Sequence, residues 1–151
     1  MPGIQAHCHL YGVPGWGSVL VEAALVRIGL PYTFEDVAGF DGPGPARDRL
    51  LAVNPIAQVP VPVLPDGLIM TESAAILLHL AETYLEAGLA PPVGDPLRPV
   101  FLRRLIWLVT AVYGTFLRAA WTCGANGRTR LRPHRGRWES GPPHSISGSG
   151  L

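Results

Sequence analysis

Glu72 and Ser73 set a carboxylate and a hydroxyl side by side where an apolar, helix-patterned run begins, shortly after Ala57-Gln-Val-Pro-Val-Pro-Val-Leu64. Free N–H groups at a helix start favour an anion, and a hydroxyl there adds a donor. Ser73 can therefore hold a carboxylate while Glu72 takes an adjacent ammonium. The amino-acid end of a ligand presents both groups. The plainer alternative is that the pair caps the helix and complements its dipole. Upstream, a proline opening a strand leaves the edge before it unpaired. If the Val59-Pro60 bond is cis, the Val59 backbone turns outward and offers its N–H and C=O to an extended, peptide-like ligand. An ordinary trans edge proline is the commoner arrangement.

Ser18 ends Gly12-Val-Pro-Gly-Trp-Gly-Ser18 and is the only hydroxyl at the start of an earlier helix, where serine is also a favoured cap. His7-Cys8-His9 has metal-ligand residue types, but strand alternation sends Cys8 to the face opposite the two histidines, which argues against a metal site and for a buried thiol. Trp107 and Tyr113 read as helix-packing residues.

The elements that must position these groups follow from periodicity. Ala6 to Tyr11 alternates as a strand, Gly17 to Ile28 carries apolar residues at helical spacing with Gly29 as its stop, and Tyr32 to Val37 reads as a second strand. This is a βαβ unit with parallel strands and a right-handed crossover. Residues 38–48, rich in glycine and proline, read as a loop, with a short helical turn over 49–53. Val61 to Leu64 and Leu68 to Met70 flank Pro65-Asp-Gly67 as a hairpin. Thr71 is the expected N-cap of a helix over Glu72 to Glu86, with Ala75, Leu78, Ala81, Tyr84 and Leu85 on its buried side. The order βαβ, loop, ββα makes an α/β sandwich over 6–87. Residues 88–96 are a proline-rich linker, and 97–117 is a long, largely apolar helix that calls for buried neighbours.

The chain has 151 residues and a net charge of +1 that averages two unlike regions. Up to Leu117, ten acidic residues face six arginines, a balance of −4, whereas from Arg118 onward six arginines face Glu139 alone, a balance of +5. The arginine, glycine, proline and serine of 118–151 show no periodicity and read as a disordered basic tail. That tail lacks a folded motif for nucleic acid. No run is apolar enough to span a bilayer, no secretory signal opens the chain, and Cys8 and Cys123 form no short redox motif, so a cytoplasmic protein is expected.

Together, Leu10-Tyr-Gly-Val-Pro-Gly15, Asn54-Pro-Ile-Ala-Gln-Val-Pro60, Asp66-Gly67 and Thr71-Glu-Ser-Ala-Ala-Ile76 resemble the N-terminal, thioredoxin-like domain of bacterial-type glutathione S-transferases. The resemblance implies a thioredoxin-like fold followed by one helix of an incomplete all-helical domain. It implies a cis Pro60, pairing of Val59 with the cysteinyl backbone of glutathione, and Gln58 near the ligand backbone or glycyl carboxylate. Glu72 and Ser73 would hold the γ-glutamyl end, with glutathione as co-substrate and no metal. Such enzymes stabilise the glutathione thiolate with a hydroxyl or thiol near the first helix start, where the dipole also favours it. The position where bacterial relatives carry a cysteine is Gly17 here, which leaves Ser18 as catalytic candidate and Tyr11 as a second. An intact member would conjugate glutathione to a small electrophile in detoxification and form a homodimer. The rival reading is a non-catalytic glutathione-fold interaction module. The loss of helical periodicity after Phe116 is what a frameshifted or truncated member would look like.

Overall fold

In a computed structural model the described residues are 6–115. The elements are β1 (Cys8–Gly12), α1 (Ser18–Ile28), β2 (Tyr32–Asp36), α2 (Pro45–Val53), β3 (Val61–Val63) and α3 (Ser73–Thr83). A 3-10 turn over Leu85–Ala87 follows, and then α4 (Arg98–Trp107), which continues into a π-helical turn over Leu108–Val112. The basic tail expected over 118–151 lies outside the described residues, as does the last part of the helix expected over 97–117.

The sheet has the order β2-β1-β3. β1 and β2 are parallel, from Cys8 against Tyr32 to Gly12 against Asp36, with α1 as the crossover. β3 is antiparallel to β1, with Tyr11 against Val61 and His9 against Val63. Alternation along β1 sends Cys8 and Leu10 into one core with Val21, Leu25, Ile76 and Leu80 of α1 and α3. Tyr11 packs on the other core, built from Val13, Val37, Leu50, Ala57 and Val61. Gly29 ends α1 with φ 79°, its N–H reaching the Leu25 and Val26 carbonyls at 3.0 and 3.1 Å, as the helix stop at that glycine requires.

Several sequence expectations change. α2 starts at Pro45 rather than Arg49, because proline is favoured in the first helical turn, where its missing N–H has no partner to lose. Leu50, fully buried, docks it on the sheet. The second hairpin strand shrinks to a bridge between Val63 and Ile69, with Leu64 N–H on Leu68 O (2.9 Å) and Met70 N–H on Pro62 O (3.1 Å). Pro62 has no N–H to return, so the ladder cannot extend. α3 starts at Ser73, without Thr71 or any other side chain capping it. Its buried positions are Ser73, Ile76, Leu80 and Ala81, while Ala75 and Leu85 are exposed. The helix is apolar around most of its surface, so periodicity did not single out the stripe that docking against α1 selects. On α4 only Leu105 is buried, and Trp107 is 61% exposed rather than packed. Among the described residues no helix is long and apolar enough to cross a membrane.

Candidate functional site

Strand register brings three chain segments to one end of the sheet. β1 runs toward Gly12, beyond which the chain turns into α1, and the antiparallel pairing of Tyr11 with Val61 sets Val59 and Pro60 beside that turn. Val59 packs on the cluster that contains Val13. The chain then leaves along β3, reverses at Pro65-Asp66-Gly67 and returns with Met70 bonded to Pro62, so that Thr71 and Glu72 arrive at the same end to start α3.

The Val59-Pro60 bond is cis. Pro60 is buried and Val59 half-buried, and among the described residues the Val59 N–H and C=O have no backbone partner. Asn54, to which the sequence assigns no role, holds this loop. It is 3% exposed, its Nδ2 donates to the Gln58 carbonyl at 2.9 Å, and its Oδ1 accepts the Ile56 N–H at 3.3 Å. Its own carbonyl accepts the Ala57 N–H at 2.9 Å, which curls the chain through Ala57 at φ 48°. The signal was present in Asn54-Pro55, since asparagine side chains bond the backbone two residues on and nucleate such turns. Gln58 gives its carbonyl to Asn54 and keeps an exposed side chain.

Glu72 adopts φ 66° and ψ 104°, one of only two non-glycine residues at positive φ among those described. That region is sparsely allowed for a residue with a Cβ, costs on the order of 1–3 kcal/mol, and concentrates at ligand-binding positions. The Glu72 side chain is exposed, and its carbonyl accepts the Ile76 N–H at 2.9 Å as the first helical bond of α3. Ser73 is 7% exposed, and its hydroxyl has no protein partner among the described residues. No buried side-chain N or O there lacks a bond, so this hydroxyl keeps contact with solvent. An uncapped helix start with a free hydroxyl and an adjacent carboxylate is equipped for a zwitterionic amino-acid group.

The start of α1 differs from expectation. Ser18 is fully buried, and its hydroxyl donates to the Val13 carbonyl at 2.9 Å, so it neither caps α1 nor presents its proton to a ligand. The turn is too close-packed for more: a Cβ on Gly12 would lie 2.5 Å from the Ser18 Cβ. Tyr11 is half-buried, 4.7 Å from the His9 ring. Burial, with the Glu35 carboxylate second, raises its phenol above the ordinary range. Gly17, where the resemblance led to a cysteine, donates its N–H to the Tyr113 hydroxyl at 2.5 Å. Tyr113, expected to be a packing residue, reaches Gly17 across a sequence separation that leaves no local signal.

The His7-Cys8-His9 run divides as alternation requires. Cys8 is buried, and burial pushes its thiol up to about 11, far from a reactive thiolate. His7 bonds the Thr33 hydroxyl at 2.7 Å and His9 the Glu35 carboxylate at 2.9 Å. Among the described residues no group of His, Cys, Asp or Glu is assembled that could hold a metal ion.

A mixed sheet with α1 and α3 on one face, α2 on the other and a cis proline entering β3 defines a thioredoxin-like α/β domain. A family profile described as the glutathione S-transferase N-terminal domain matches residues 21–83. An uncharacterized GST-like protein of Escherichia coli (strain K12), YncG, is 49% identical over 107 residues, covering 71% of this chain and 51% of the relative. The crystal structure of a glutathione transferase from Methylococcus capsulatus superposes with a TM-score of 0.63 at 34% identity, over 72% of this chain and 54% of that one. A sphingomonad glutathione S-transferase solved in complex with glutathione gives 0.61 at 31% identity, over the same shares, 72% and 54%. Through this domain the chain belongs to the glutathione S-transferase family. It spans about half the length of the curated relatives it matches.

Proposed function

We propose that this chain binds reduced glutathione at the shared end of β1, β3 and α3 and that the intact protein adds the glutathione thiolate to a small electrophile. The observation that carries the reading is the pair Glu72 and Ser73: an exposed carboxylate on a backbone at φ 66° beside a solvent-touching, unpartnered hydroxyl at an uncapped helix start. Val59 pairs its free N–H and C=O with the cysteinyl backbone, Glu72 takes the γ-glutamyl ammonium, Ser73 takes its carboxylate, and Gln58 lies toward the glycyl end. Ser18 contributes by holding the Val13 carbonyl and so the loop before α1. Fixing the thiol at the start of α1 supplies orientation and a field that favours the thiolate. Residues 6–87 form the glutathione domain in this reading, 88–96 the linker, and 97–117 the first helix of a second domain whose remainder would line the electrophile pocket.

Calorimetric titration of the full chain with reduced glutathione tests it. Binding is expected, weakened roughly tenfold or more by Ser73→Ala or Glu72→Ala, the scale of a lost hydrogen bond to a charged group. Absence of heat from folded protein, or unchanged affinity in both variants, overturns the reading. A non-catalytic interaction module on the same fold is favoured by one observation, the exposure of Ile106, Trp107 and Leu108 on a single stretch of helix. Conjugation of glutathione to a generic aryl halide separates the two, since a module binds without turnover.

A further inference from the structure

The start of α1 presents a vacancy in its sequence and an occupant in its structure. Gly17 has no side chain where the resemblance leads to a cysteine, and a Cβ built there would lie 3.0 Å from Cζ, 3.1 Å from Cε1 and 3.1 Å from the hydroxyl oxygen of Tyr113. The aromatic ring therefore takes the space that a side chain at position 17 would need. The same ring is bonded to that spot, since the Gly17 N–H donates to the Tyr113 hydroxyl. We propose that Tyr113 is the catalytic hydroxyl of this chain, donating its phenolic proton in a hydrogen bond to the glutathione thiolate from the helix that follows the thioredoxin-like domain. The proposal rests on the glutathione-binding reading above.

Several observations converge on this role. Accepting the Gly17 N–H orients the phenol oxygen and leaves its proton free, with no acceptor for it among the described residues. Burial raises the Tyr113 phenol above its ordinary range and outweighs the lowering by the Gly17 N–H. The group thus stays protonated near neutral pH and acts as a donor. Ser18 does not compete, because its proton is committed to Val13. The azimuth of Tyr113 is set by the π-helical turn Leu108–Val112 immediately before it. Such turns add a residue to one turn of a helix and recur at functional sites. Within that stretch the Thr110 hydroxyl bonds back to the Ile106 carbonyl at 2.7 Å. Strand register puts Val59, the proposed partner of the cysteinyl backbone, at the same end of the sheet as Gly17. In the step itself the thiol proton leaves to water, the sulfur becomes a thiolate, and Tyr113 keeps its proton while sharing it with the sulfur.

The test titrates the ultraviolet thiolate absorbance of bound glutathione against pH in the full chain and in Tyr113→Phe, which keeps the ring, with affinity measured in parallel. The bound thiol is expected to ionise well below the ordinary value of about 8.5 in the wild type. In the variant it should rise by about one unit, a tenfold smaller thiolate fraction near neutral pH, with affinity changed less than about threefold. Gly17→Ala, which drives a methyl into the ring but leaves the hydroxyl, should shift the thiol in the same direction. An unchanged thiol titration in Tyr113→Phe overturns the proposal and leaves glutathione binding intact. A lowered one also overturns it, because it makes the released Gly17 N–H the thiolate donor. Failure of the wild type to bind glutathione overturns the binding reading, and this role with it.

Discussion

The thioredoxin-like domain, from β1 to the 3-10 turn Leu85–Ala87, and the helix that follows it solve the burial problem in opposite ways. In the domain, Leu10, Val21, Leu25, Leu50, Ile76 and Leu80 are fully buried, shared between a core on each face of the sheet. On α4 and its π-helical continuation only Leu105 is buried, while Ile106, Trp107 and Leu108 are 51%, 61% and 38% exposed. Polar links tie the helix to the domain: Arg98 pairs with Glu82 and Tyr113 accepts from Gly17, while Arg98 also bonds the Pro91 carbonyl of the linker at 2.7 Å. The contrast teaches that the domain's fold is secured by its own apolar surface, whereas the helix leaves apolar surface exposed.

The sharpest way to break that contrast is to remove equal apolar volume from both regions. Ile76→Ala should cost about 2–5 kcal/mol in chemical denaturation, because it leaves a cavity between α3 and the sheet. Ile106→Ala should stay within about 0.5 kcal/mol, since its side chain is half in solvent already. Similar losses at both positions would mean that the helix is buried in solution. The exposed stretch should also drive concentration-dependent association in gel filtration, relieved by Trp107→Glu. A monodisperse monomer at all concentrations would remove the contrast.

Polar changes within the domain come next in size. Ser18→Ala removes one of the two donors on the Val13 carbonyl, which keeps the Trp16 N–H at 3.0 Å, and should cost about 0.5–1.5 kcal/mol. If the serine merely capped α1, the loss would sit at the low end and spare glutathione affinity. Of the two polar changes, the smaller effect belongs to Glu35. Its hydrogen bond to His9, followed by its contacts with Arg49, holds the carboxyl below its ordinary 4.5. A folded-state value below the unfolded one means stability that is present above the ordinary value and is lost as pH falls through the lowered one. Because the pair lies near the surface, Glu35→Gln should remove less than about 1 kcal/mol, and only above that window. A loss of the same size below it would point to packing rather than charge.

The βαβ unit, the hairpin turn and the start of the third helix were legible because period-two and helical spacing, Gly29 and Pro65-Asp66-Gly67 are local signals. Periodicity could not choose the buried face of α3, whose turns are apolar on most sides, nor see that Pro45 opens a helix instead of breaking one. At the site, Val59, Pro60, Glu72 and Ser73 stood out by residue type and position, but the backbone of Glu72 at φ 66° did not. Ser18 stands out in the sequence as the hydroxyl of α1 because sequence shows which groups sit at a helix start and not which way they point.

By itself the sequence determined the order of elements, the strand that follows Val59 and Pro60 and the chemistry gathered at the start of α3, since each depends on neighbours within a few positions. Only the tertiary structure decided which hydroxyl stands at the start of α1. Ser18 was turned inward by a carbonyl five residues away, and Tyr113 was brought to Gly17 across 96 residues. Contacts of that span arise from how helices pack on the sheet, and no local pattern of residues records them.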